Sequence, residues 1–215
     1  MTGVQTCALP IFSLPVEIGQ LKNLKELNLS SSKCTSLPKE IGNLINLEKL
    51  ILTWADNLVS LPAEIGQLKN LKQLDMGVCY HLTFILKEIG NLTNLQDLSL
   101  FCDLATLPKE IFNLIKLEKL QLGGNNKSTS LPSEIGQLKN LKELYLGGFT
   151  SLPKEIGNLV NLEELNLGNN ENLLSLPAEI GQLKNLRKLI LSKIISKEEK
   201  TNIKKMLPSC YIQDY

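Results

Sequence analysis

The sequence predicts an α/β solenoid, a right-handed coil of eight repeats with a parallel sheet along its concave face. Three observations predict it. A unit best seen at 130–146, SLPSEIGQLKNLKELYL, returns with starts at Ser13, Ser36, Ser60, Phe84, Thr106, Ser130, Ser151 and Ser175. The spacings lie between 21 and 24 residues, and a fixed period in that range marks a repeat architecture. Within the unit, Leu144 and Leu146 point one way at strand period while Glu143, Tyr145 and Gly147 point the other.

The segment before each strand carries the chemistry of a brief helical or 3₁₀ turn. Pro132 suits a first helical position, where its missing N–H would be unpaired anyway, and Glu134 complements the helix dipole in the first turn. Gly136 can take the left-handed conformation that ends so short a helix, and Leu138 and Leu141 bring the chain back inward. One unit cannot bury its own apolar face, so burial is completed only when neighbours stack and share ladder hydrogen bonds. Strands pack more closely than the bulkier segments behind them, which makes the sheet side concave.

The recurring L-x-x-L-x-L followed by S-L-P-x-E-I-G-x-L resembles the leucine-rich repeat family. It is closest in type to the intracellular repeats of bacteria, especially spirochaetes, and of plants. The resemblance spans residues 13–215. It implies a scaffold that binds proteins rather than one particular activity.

In chain order, residues 1–12 stand apart. MTGVQTCALPI fits no repeat and reads as the translation of a common short-read sequencing adapter, whose last base opens the codon of Phe12. A natural N-terminus, with any signal peptide or upstream domain, is expected to be missing. The solenoid then occupies 13–195. Repeats two and three carry one extra turn residue, and repeat four has Phe84-Ile85-Leu86 where the others have Ser-Leu-Pro. Repeat five replaces the usual Gly with Phe112 and the usual Asn with Lys116, and repeat six is the shortest.

Two columns of asparagine or its substitutes are expected to be structural. The family's turn asparagine is kept at Asn125 and Asn170, with Ser32, Cys79 and Asp103 in that slot elsewhere. A second column, Asn23, Asn46, Asn70, Asn94, Asn140, Asn161 and Asn185, enters the strands and is expected to form a buried hydrogen-bonded ladder. Residues 196–215 read as a C-terminal cap. Ser196 and Glu199 make a capping box, Ile203, Met206 and Leu207 share a helical face, and Cys210-Tyr211-Ile212 supplies a last strand.

The net charge of +1 gives no electrostatic case for nucleic acid or an anionic membrane, and no apolar run reaches the length of a membrane span. The five cysteines form no CxxC pair, which points to buried free thiols in a reducing, cytoplasmic setting and a monomeric chain. The sequence shows no catalytic constellation. The lone His81, beside Cys79 and Tyr80, reads as a turn histidine, and no cofactor or metal is expected. Gly123-Gly124 and Gly147-Gly148 follow strands without a phosphate-loop pattern.

What varies is the outward side of the strands. One column reads Asn28, Ile51, Asp75, Ser99, Gln121, Tyr145, Asn166 and Ile190; the next reads Ser30, Thr53, Gly77, Phe101, Gly123, Gly147, Gly168 and Ser192. Trp54 and Cys102 come one position later. Ile51, Thr53, Trp54, Asp75, Phe101, Gln121, Tyr145 and Asn166 are the expected contacts for an unidentified protein partner, with the glycines leaving room for its approach. Two functions fit: a non-catalytic interaction scaffold, or the recognition domain of a larger regulator or enzyme such as a ubiquitin ligase effector, kinase or GTPase.

Overall fold

The computed structural model describes residues 13–102, 104, 106–123 and 130–215. Asn125, Asp103, Cys7, Gly124 and the adapter-like segment lie outside them. Among the described residues nine strands form one sheet in sequence order: β1 (Glu26–Asn28), β2 (Lys49–Ile51), β3 (Gln73–Cys79), β4 (Asp97–Cys102), β5 (Lys119–Gly123), β6 (Glu143–Leu146), β7 (Glu164–Asn166), β8 (Lys188–Leu191) and β9 (Tyr211–Asp214). Every pairing is parallel, so Leu27, Leu50, Leu74, Leu98, Leu120, Leu144, Leu165, Leu189 and Ile212 stand in one row. The leucines of this row are buried, as are Leu29, Leu52, Leu100, Leu122, Leu146, Leu167 and Leu191. Together with Ile18, Ile41, Ile65, Ile89, Ile111, Ile135, Ile156 and Ile180 from the opposite side, they make one continuous core.

Each repeat crosses to the far side through a five-residue 3₁₀ helix, as in Ser133–Gln137. The proline stands just before the helix rather than at its first position: Pro132 is extended (φ −61°, ψ 146°), and its carbonyl accepts the Ile135 N–H at 3.2 Å. Gly136 is not left-handed either. It is buried inside the 3₁₀ turn, where a β-carbon would lie 2.9 Å from both the carbonyl oxygen and Cβ of Glu155 in the next coil. The glycine therefore permits close stacking of consecutive turns, a role its conformation does not reveal. Repeat five, with Phe112 at that place, buries the ring completely.

The two asparagine columns do different work. Asn170 is fully buried, donating from Nδ2 to the carbonyls of Leu146 (2.8 Å) and Leu167 (2.9 Å) and accepting the Phe149 N–H at 2.7 Å. In the slot of repeat four Cys102 takes the place expected for Asp103, because the strand register shifts between Gly77 and Cys79 and pairs Cys79 with Cys102. Both thiols donate 3.2 Å to carbonyls one coil back, Cys79 to Leu52 and Cys102 to Met76. Ser32 is too short for this, and its buried hydroxyl has no partner among the described residues. The second column is a ladder, but an exposed one. Asn46, Asn70, Asn94, Asn140, Asn161 and Asn185 each donate 2.8–2.9 Å to a carbonyl of the preceding repeat. Lys116, lacking the amide, reaches the Asn94 side chain instead at 2.6 Å.

At the C-terminal end, α1 (Lys197–Met206) begins at Ser196, whose hydroxyl accepts the Glu199 N–H at 3.1 Å. The Glu199 carboxylate does not complete the box. It accepts the Leu176 N–H of the eighth repeat at 3.2 Å and so ties the helix to the coil. Ile203 and Leu207 are buried against that coil, and β9 closes the sheet beyond β8.

Candidate functional site

Strand alternation leaves three outward positions in the longer coils. The first is a row of mostly charged residues: Glu26, Lys49, Gln73, Asp97, Lys119, Glu143, Glu164 and Lys188. The outward columns expected from sequence begin two residues later, at Asn28 and its equivalents, with only Glu143 of this row placed outward; carrying the two-residue period back past Leu27 reaches the rest. The row is knit by ion pairs between adjacent strands, Lys119–Glu143 and Lys188–Glu164 at 3.0 Å and Lys49–Glu26 at 3.9 Å. Glu48 lies on the flank, outside the row. Lys72 and Lys25 beside it hold its carboxyl below the usual carboxylate range.

The second row joins Ile51, Asp75, Ser99, Gln121, Tyr145 and Asn166 on adjacent strands. Each is half-buried except Ser99, which is only 5% exposed. Asp75 and Asn166 fold back so that an oxygen of each accepts the N–H two residues on, from Gly77 and Gly168, at 2.9 Å. Tyr145 lies beneath Lys119, whose ammonium is 5.4 Å from the ring centre. Burial, with the carboxylates of Glu164 and Glu143 close by, pushes the Tyr145 hydroxyl up to about 12.

The third row holds Thr53, Gly77, Phe101, Gly123, Gly147 and Gly168, and here the glycines do not simply leave room. A β-carbon on Gly123 would come 2.6 Å from the Phe101 ring, and one on Gly168 would come 2.4 Å from the ring of Tyr215. Two of the glycines are thus seats for this chain's own aromatic side chains. Ile190, in β8 beside β9, and Ser192, just past β8, both expected to face outward, are 7% and 3% exposed. The open face therefore runs from β1 to β7. Trp54 stands at its rim, 55% exposed, in a left-handed backbone conformation (φ 62°) that Ser31, Val78 and Gly148 share at the equivalent turn.

His81 is exposed in its turn and donates from Nδ1 to the Asp56 carbonyl of the preceding coil. Cys34, Cys79, Cys102 and Cys210 are buried free thiols. Among the described residues no group of His, Cys, Asp and Glu is arranged to hold a metal, and no helix is long and apolar enough to cross a membrane.

This geometry has relatives. The family described as a leucine-rich repeat region matches residues 5–106 and 102–213. A leucine-rich repeat protein of Leptospira interrogans is 35% identical over 95% of this chain and 76% of its own, with a TM-score of 0.41. The leucine-rich repeat domain of the type III effector XopL is 26% identical over 86% of this chain and 74% of its own, with a TM-score of 0.68. The plant peptide hormone receptor RGFR1, solved in complex with RGF2, is 30% identical over 94% of this chain but only 36% of the receptor, with a TM-score of 0.64. No curated protein matches. The chain belongs to the leucine-rich repeat family.

Proposed function

We propose that the protein is a non-catalytic interaction scaffold that binds a protein partner on the concave sheet face. One observation carries the reading: Ile51, Asp75, Gln121, Tyr145 and Asn166 lie in one row across β2 to β7, with Ser99 of β4 between Asp75 and Gln121, flanked by Thr53, Phe101 and the rim residue Trp54. Half-buried aromatic and polar side chains on a rigid support lose little entropy on binding and suit interface hot spots. The peptide-bound state of the receptor it resembles supports the same use of the fold. The effector relative is itself one domain of a larger protein, which favours as a second reading that this solenoid is the recognition part of a larger regulator or enzyme.

The test is a matched set of variants against a protein ligand obtained by affinity capture. Tyr145→Ala and Phe101→Ala should each weaken binding by about 1–3 kcal/mol. Lys139→Ala and Lys184→Ala, on the 3₁₀ side where the ammonium groups bond to the carbonyls of Asn158 and Gly181, should change it little. The reading fails if the lysines matter while correctly folded Tyr145 and Phe101 variants bind normally.

A further inference from the structure

We propose that Asp75, Asp97 and Ser99 form a socket on the sheet face that receives an arginine side chain of a protein partner. The inference rests on the reading of that face as the binding surface and names the chemistry it selects.

The floor of the socket is Gly77. A β-carbon there would lie 3.2 Å from Asp75 Oδ1, 3.5 Å from Thr53 Cγ2 and 3.7 Å from Ser99 Oγ, so its absence leaves a hollow ringed by a carboxylate and a hydroxyl. Phe101, the neighbour of Gly77 on β4, does not fill this hollow, because its ring is turned to Gly123 on the other side. Ser99 is 95% buried, being 5% exposed, and makes no side-chain hydrogen bond among the described residues. Ser99 Oγ is not among the sealed, unpartnered polar atoms, so a group entering the hollow can reach its donor and lone pairs.

Neither carboxylate has a cation within ion-pair distance among the described residues. Asp97 stands between Lys49 and Lys119 in the first outward row, one strand beyond Gln73. Both lysines act on it electrostatically but pair more closely with other carboxylates: Lys119 Nζ lies 3.0 Å from Glu143 and Lys49 Nζ 3.9 Å from Glu26. Among the described residues neither Asp75 nor Asp97 forms an ion pair. Burial pushes the Asp97 carboxyl above its ordinary value despite Lys119 and Lys49, and the nearby Asp75 carboxylate adds to the rise. Asp75 uses one oxygen for the Gly77 N–H and has the other free for a ligand.

Arginine fits better than lysine. Asp75 and Asp97 are diagonal neighbours on adjacent strands, on the order of 7 Å apart, which is wide for one compact ammonium. A guanidinium spreads five donors over a plane and can engage two carboxylates and a hydroxyl together.

The experiment is a nuclear magnetic resonance titration of the full chain with the capped tripeptide Gly-Arg-Gly, and with the same peptide carrying citrulline in place of arginine. Saturable shifts at the amides of Asp75, Asp97 and Ser99 are expected, with at least fivefold weaker binding of the citrulline peptide. Asp97→Asn should reduce the arginine response at least fivefold, as should Asp75→Asn if either variant alone folds poorly. Equal binding of both peptides, or no saturable shift at the three amides, overturns the socket. Shifts confined to Gln121, Tyr145 and Asn166 would overturn the socket while leaving the sheet face standing as a binding surface.

Discussion

The ring of Phe101 on β4 rests against Gly123 on β5, so close that a β-carbon at position 123 would come 2.6 Å from its Cε1. The ring is a movable side chain, and that distinguishes this contact from the one at Gly136, whose missing β-carbon faces the Glu155 backbone carbonyl at 2.9 Å. Gly123→Ala should therefore cost no more than about 1 kcal/mol, the scale of an off-rotamer side chain, while displacing Phe101. Gly136→Ala should cost about 1–3 kcal/mol because two coils must separate. Denaturant unfolding of both variants checks the contrast, and equal losses would show that the Phe101 ring is locked in place.

The two asparagine columns should separate in the same way. Asn170→Ala would leave the Phe149 N–H and the Leu146 and Leu167 carbonyls unpaired in the core, and should cost about 2–4 kcal/mol. Asn46→Ala removes one exposed bond to the Lys22 carbonyl, which water replaces, and should cost less than about 1 kcal/mol. Thermal unfolding of the two variants reads the difference directly.

Val78 holds a β-branched side chain at φ 63°, a conformation in which the β-carbon crowds the following carbonyl. Val78→Gly should raise stability by about 1 kcal/mol. Trp54→Gly should give the same backbone relief at φ 62° while removing an exposed ring from the rim. A Trp54→Gly protein that is more stable and yet binds a partner less well would separate the two roles of that residue. A loss of stability in both variants would mean that side-chain packing outweighs the strain.

Tyr145 gives the fold a definite alkaline signature. Its hydroxyl ionises at 10.0 in the unfolded chain and at about 12 in the folded one, so the folded state holds its proton longer. The stability this contributes is complete below pH 10 and is lost as the pH climbs from there towards 12. Tyr145→Phe should lack that part of the alkaline decline. Ultraviolet titration of the phenol, compared between the two proteins, should place one late tyrosine in the native protein alone.

Most of the scaffold is legible in the sequence because a period constrains every copy at once. The two-residue step from Leu144 to Leu146 fixes which side Tyr145 takes, and the stacking of eight such steps fixes the row it joins. What the period leaves open is anything decided by local space. Gly136 and a left-handed glycine look alike in a sequence, and only the distance to Glu155 separates them. Cys102 takes the slot expected of Asp103 because a register shift beside Gly77 moves one strand relative to its neighbour, and no spacing of leucines records that shift. The candidate site is less legible still. Phe101 and Tyr215 find their resting places through the gaps that Gly123 and Gly168 offer, so the exposure of the face depends on rotamers. The charged row from Glu26 to Lys188 was readable in principle, since the alternation that reveals Tyr145 also reveals Glu143.

The ladder of asparagines has a mechanical meaning. Each rung, such as Asn70 to the Ile45 carbonyl or Asn185 to that of Val160, joins a coil only to the one before it, and the strands pair in the same nearest-neighbour order. Tension applied through the two ends of the chain therefore never loads all these bonds together. It falls on the outermost interface, and the molecule should peel as a ribbon does, β9 and α1 first at the Tyr215 end and then one coil after another. Single-molecule stretching should record a staircase of small, similar releases, and a single large rupture would show that the coils share load across more than one neighbour.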